Sequence, residues 1–193
     1  ASKIIVHCKG LDYPAHDPRS FFPAVINYAT GVRGACHQRG FVTWNALGVL
    51  IPEWGITKIF ETGSNTLHSM ENAADLTIKY QNWATIFNSL VQCEYMIFGG
   101  LTLSHQIDLL KYVTGWNVDK TYLSETAERI FNLQRVINIY YGVKKKDDSI
   151  PFRILEPLKD GKSSLNKPFP FYKTFLEYYK LRVWENDGKP TPK

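Results

Sequence analysis

The stretch from Glu71 to Phe98 limits most strongly what this chain can fold into. Leu76, Tyr80, Trp83, Phe87 and Leu90 recur at three- and four-residue steps, the spacing of one helix face. Apolar residues also fill other positions, and a helix apolar around much of its circumference belongs inside a fold. The spacing predicts one long central helix ending near Gly99-Gly100, with Cys93 close to its C-terminal end. A cysteine there is either buried filler or a ligand, and the stretch alone does not decide between them.

The remaining segments are also helical. Ser20 is placed to cap a helix from Phe22 to Thr30, with Pro23 in its first turn and Gly31 as its stop. Phe41 to Phe60 reads as short helical pieces broken by Pro52 and Gly55, and Ser64 to Met70 as a turn-rich lead-in. Ser104 is the expected cap of a helix from His105 to Val113. A long amphipathic helix starts near Asp119 or Thr121 and runs to Tyr141, and a last one covers Phe171 to Leu181. Between them, Lys144 to Pro151 reads as a charged turn and Arg153 to Pro170 as a loop. Lys3 to Cys8 reads as a short strand or an extended lead-in. With no internal repeat and no low-complexity linker, the fold expected is all-α, a single multihelical module over residues 1–193.

Composition removes several classes of function. At 193 residues with 44% hydrophobic and 21% charged residues, the chain can build an ordinary core and is not a disordered polymer. The net charge of +5 owes much to Lys144-Lys145-Lys146, but Asp147-Asp148 follow at once. That is a mixed-charge turn, not the basic stripe that nucleic acid requires. A basic surface is compatible with an acidic protein partner such as a small electron carrier. No apolar run is long enough to span a bilayer, and the N-terminal residues lack the pattern of a signal peptide. Cys8, Cys36 and Cys93 are widely spaced with no C-x-x-C among them. A disulfide scaffold is therefore excluded, and a reducing compartment, the cytoplasm, is expected.

Gly31 to Gly40 is the second unusual segment, with three glycines, Arg33, Cys36, His37 and Arg39 in ten residues. Glycines allow tight turns and close approach to a ligand. Arginine forks suit phosphate or carboxylate, and a histidine can exchange a proton near neutral pH. The same residues would also serve as a polar connection between helices.

Several segments, in order, resemble the tungstopterin-containing aldehyde ferredoxin oxidoreductases. Leu11 to Arg19 is similar to that family's E-x-P-A-Y-D-P-R-G, with His16 where the family has tyrosine. Tyr28 to His37 resembles Y-A-T-x-x-R-G-G/A-C-H, and Gln81 to Cys93 aligns without gaps with Q-D-x-x-x-x-x-D-S-x-G-L-C. Thr114 to Trp116, Glu128 to Leu133, Lys146 to Pro151 and Tyr178 to Arg182 also have counterparts. The resemblance covers nearly the whole chain.

It implies the C-terminal helical portion of an enzyme that oxidises aldehydes, or a related oxo or acyl substrate. In that family a tungsten or molybdenum pterin does the chemistry, and a 4Fe-4S cluster passes electrons to ferredoxin or a similar carrier. Cys93 matches the fourth cluster ligand, His37 the active-site histidine, and Arg33 and Arg39 pterin contacts. Asn88 matches a pterin-binding aspartate, and the neighbouring Gln92 and Glu94 fall in the same cofactor-facing segment. Val91-Gln92 stands where the family has Gly-Leu, and Val183 also replaces a glycine. The pterin domain and the C-x-x-C-x-x-x-C that supplies three cluster ligands have no counterpart here. The chain is then a fragment, or a subunit that completes its site with a companion chain. Alone it should be inactive, hold neither group tightly, and expose an apolar patch near His37 and Cys93, with self-association as a consequence. The alternative is a non-catalytic helical interaction or assembly module derived from the same fold.

Overall fold

A computed structural model describes residues 4–59, 67–158 and 171–191. These residues are mostly helical, as expected. A two-stranded antiparallel hairpin, β1 (His7–Cys8) and β2 (Leu11–Asp12), opens the chain. It is followed by α1 (Ala24–Thr30), α2 (Thr43–Ala46), α3 (Ala73–Ser89), α4 (Leu103–Thr114), α5 (Lys120–Tyr140), α6 (Phe152–Leu155) and α7 (Phe171–Leu181). Single 3-10 turns at His37–Arg39, Pro52–Trp54, Glu94–Gly99 and Lys145–Asp147 link them. The start of the loop expected over Arg153 to Pro170 is instead taken up by α6, and residues 159–170 of it, with Phe60 and Ser64, lie outside the described residues.

Helix α3 is the axis of the fold. It packs against α1, α5 and α7, and both hydrophobic clusters draw on it. Its first turn gives Ala73 and Ala74 to a cluster with Phe22, Ile26, Phe131, Tyr178 and Trp184. Its later turns give Tyr80, Trp83 and Phe87 to a second cluster with Phe41, Trp44 and Leu123. Each such side chain contributes about 1.5–3 kcal/mol when removed from water.

The helix is shorter than its apolar run. It stops at Ser89, and Leu90 and Val91 turn the chain before the 3-10 segment. Val91 takes φ +55°, a left-handed conformation that ends an α-helix. Cys93 therefore does not lie on α3 but caps the following 3-10 turn, in extended conformation. The apolar residues beyond it, Tyr95, Met96 and Phe98, are exposed, so their spacing did not report a buried helix face.

Two cap expectations are also corrected. Helix α1 starts at Ala24 with no side-chain cap, and the Ser20 hydroxyl donates instead to the Asp17 carbonyl at 2.7 Å. Thr102, not Ser104, caps α4, with His105 completing a reciprocal capping box. The helix expected to start near Asp119 or Thr121 starts at Lys120, and the Asp119 carboxylate caps it by accepting from the Tyr122 N–H at 2.7 Å.

Buried polar groups tie the helices together. Gln81 is fully buried and uses its whole amide. Its oxygen accepts from Tyr178 at 2.6 Å and Arg182 at 2.8 Å, and its nitrogen donates to Asn27 at 3.2 Å and Thr30 at 3.1 Å. The charged turn hides a second cluster. Asp148 is buried, paired with Arg135 at 2.6 Å and Lys9 at 2.7 Å, and accepts from the Tyr179 hydroxyl at 2.5 Å. This staples the N-terminal hairpin to the far end of α5, which Asp148's place in a run of charges did not announce.

Candidate functional site

The loop from α1 to α2 carries the first group of predicted residues. Gly31 closes α1, and the chain turns back through Gly34, whose N–H donates to the Gly31 carbonyl at 3.1 Å. Gly34 has φ +87°, and a Cβ there would lie 2.3 Å from the Cys8 carbonyl oxygen. At Gly40 a Cβ would meet the Asn27 side-chain oxygen at 2.1 Å. These two glycines serve close packing of the loop on its own protein, rather than approach to a ligand. Asn27 also donates to the Cys36 carbonyl at 3.4 Å, so the buried Gln81–Asn27 pair sets the backbone just before His37.

His37 opens the 3-10 turn and is half-buried. Its ring meets the edge of Phe41 at 5.5 Å on one side. On the other it lies against the His16 ring, with centroids 4.7 Å apart and planes 31° apart. Burial, and then the neighbouring His16, push its pKa below the ordinary imidazole value, favouring the neutral ring. Cys36 is buried beside it, with the Arg33 guanidinium 4.0 Å from the thiol sulfur.

Three of the predicted cofactor residues bond to one another. The Arg39 guanidinium donates to the Asn88 oxygen at 2.6 Å, and the Asn88 amide donates to Glu94 at 2.7 Å and to the Ala84 carbonyl at 2.7 Å. Glu94 is buried, and that desolvation raises its pKa to about 8 against the smaller opposing pull of Asn88 and Arg39. The chain of contacts joins the His37 turn to the segment bearing Cys93. Phe41 and Trp44 reinforce the junction by packing on Tyr95 at 6.0 and 5.3 Å.

The other predicted residues behave differently. Arg33 is exposed, and its contact with Cys36 leaves most of its fork open. Gln92 accepts from buried Gln106 at 2.8 Å, a bond inside the protein. Cys93 is exposed and unpaired. It is followed by exposed Tyr95, Met96 and Phe98, and preceded by Val91, which is 92% exposed. Sequence reasoning missed His16 as a site residue. Its only signal was a histidine in place of tyrosine in the Asp-Pro-Arg loop, and nothing local places that loop against His37.

Among the described residues no group of three metal-ligating side chains comes together. The donors present fit part of a cofactor site. An accessible thiol suits an iron–sulfur ligand, and an open guanidinium suits an anionic cofactor. Asn88 and Glu94 fit less well, because they already satisfy each other.

The chain matches over residues 1–193 the family model of aldehyde ferredoxin oxidoreductase, domains 2 and 3, and it belongs to that family. It is 28% identical over 184 residues to the tungsten-containing aldehyde ferredoxin oxidoreductase of Pyrococcus furiosus. It is 27% identical over 189 residues to the protein of that description in Thermococcus kodakarensis, and 26% over 189 to that of Pyrococcus horikoshii. Each match takes in 94% of this chain and 28% of the relative, so the chain spans under a third of the length of these relatives. Among the described residues no helix is long and apolar enough to cross a membrane.

Proposed function

We propose that this chain is the helical C-terminal part of a tungsten-dependent aldehyde oxidoreductase, and that it supplies His37 and Cys93 to the active centre. The convergence of these two segments on the end of α3, through Arg39, Asn88 and Glu94, carries the reading. When bound, the tungsten–pterin group supplies the two-electron oxidation, and the iron–sulfur cluster carries the electrons onward to ferredoxin.

The chain's own contribution is local. His37 is neutral and half-buried, so it can hydrogen-bond an aldehyde oxygen through a ring N–H or accept a proton released at the site. The Phe41 edge restricts its ring, and the Asn27–Cys36 bond fixes its backbone entry. Cys93, exposed at the junction, contributes one thiolate to the cluster, and the other three come from a pterin domain or companion subunit. Arg33 and Arg39 donate to pterin or phosphate oxygens. The exposed Val91, Tyr95, Met96 and Phe98 form the apolar surface that those other domains cover. The unpaired cysteines fit a reducing, cytoplasmic setting.

One observation favours a second reading. Arg39, Asn88 and Glu94 satisfy one another, as they would in a module that no longer holds a pterin. Aldehyde-dependent reduction of ferredoxin or a viologen dye by the complete protein separates the two. The enzyme reading expects activity that falls at least about 100-fold in His37→Ala. A complete protein that holds no pterin and shows no aldehyde-dependent reduction would leave the module reading.

A further inference from the structure

We propose that His16 is a positioning residue for His37, its imidazole keeping the His37 ring in the neutral form; the catalytic part of this inference rests on the role proposed above for His37. The two ring centroids lie 4.7 Å apart with the planes tilted by 31°. In the motif that this loop resembles, the position is tyrosine, whose phenol cannot become a cation. Here a second ionisable ring stands against the first, and a positive charge on either opposes a charge on the other.

The loop that carries His16 is held from both ends. The buried Tyr28 hydroxyl donates to the His16 carbonyl at 2.9 Å. Next to it, the Asp17 carboxylate accepts from the Arg19 N–H at 2.9 Å and pairs with the Arg19 guanidinium at 2.6 Å. The partner ring is thus held through its backbone and neighbours. His37 also makes a T-shaped contact with Phe41 at 5.5 Å.

The other charged groups around His37 are engaged elsewhere. Asp17 is paired with Arg19, Arg39 is bonded to Asn88, and Arg33 is directed to the Cys36 sulfur. Glu94 sits beyond Asn88. Burial raises the pKa of Tyr13 and Tyr28, so both phenols stay neutral at ordinary pH. His16 is left as the ionisable ring in contact with His37, and the lowered pKa of His37 agrees in direction.

The test is a histidine-resolved NMR titration of the 193-residue chain and of its His16→Phe and His16→Ala variants. His16→Phe keeps an aromatic face and the Tyr28 anchor while removing the second charge. His37 should then titrate about half a pH unit higher, the scale for unit charges this far apart in a water-like medium. Unchanged titration in His16→Phe, with a change confined to His16→Ala, would reduce the contact to packing and overturn the proposal. In the complete enzyme the acid limb of the rate–pH profile should rise by the same amount in His16→Phe. An NMR shift with an unmoved acid limb would keep the ring pair and reject the catalytic role of His37.

Discussion

Arg39 donates to the Asn88 side-chain oxygen at 2.6 Å, across 49 positions of sequence, and so locks the His37 turn to the end of α3. The same amide group continues to Glu94, one residue past Cys93. One neutral side chain thus couples a buried acid to a base and fixes the relative position of two proposed site residues.

Removing that bridge leaves polar groups without partners. Asn88→Ala should destabilise the chain by about 1–3 kcal/mol, since it orphans Glu94 inside the protein. Asn88→Asp keeps an acceptor for Arg39 and loses the amide donor to Glu94, but Glu94, kept protonated by burial, can donate to the new carboxylate, so the loss should be smaller than in Asn88→Ala. Urea unfolding of the three proteins at neutral pH checks both expectations.

The resemblance places glycines at positions 91 and 183, and both valines here sit in the left-handed region, at φ +55° and +56°. A β-branched side chain there is strained. Val91 packs against little, being 92% exposed. Val91→Gly should therefore stabilise by about 1 kcal/mol, the relief exceeding the added unfolded-state entropy. Val91→Ala, still carrying a Cβ, should recover less, and a urea midpoint that falls in Val91→Gly would contradict the strain.

How much of this was legible beforehand follows from the range of each signal. Helix α7 and the start of α5 near Asp119 were read from local spacing, and the structure returns both. The end of α3 was misread because exposed Tyr95, Met96 and Phe98 continue the apolar run, and the positive φ of Val91 leaves no mark in a valine. His37, Cys93 and Arg39 stood out through the family resemblance rather than through periodicity. The contacts that join them did not: Arg39–Asn88 and His16–His37 link residues 49 and 21 positions apart, a distance no short pattern spans.

The buried arginines are structural rather than catalytic. Arg182 donates to Gln81 and Asn82 at 2.8 Å each, pairs with Glu128, and lies 4.0 Å over the Phe131 ring. Truncating it removes the cation paired with Glu128 and one of the two donors to the Gln81 oxygen. Arg182→Ala should cost about 3–5 kcal/mol, the range for breaking a buried ion pair, and thermal unfolding followed by circular dichroism reads it. A loss under 1 kcal/mol would mean that water replaces the pair.

Thiol exposure separates the three cysteines. Cys93 is exposed, whereas Cys8 and Cys36 are buried, and burial raises the pKa of Cys8 further. A disulfide reagent should titrate one thiol fast and two only on unfolding. The fast phase should vanish in Cys93→Ser.

The central claim, that this chain completes an iron–sulfur centre, is tested most directly by iron and sulfide content with low-temperature electron paramagnetic resonance. The measurement compares the complete protein with its Cys93→Ser variant. The account predicts an intact 4Fe-4S signal in the unsubstituted protein that is lost or converted to a depleted cluster in Cys93→Ser. An unchanged spectrum and full iron content in Cys93→Ser would contradict it.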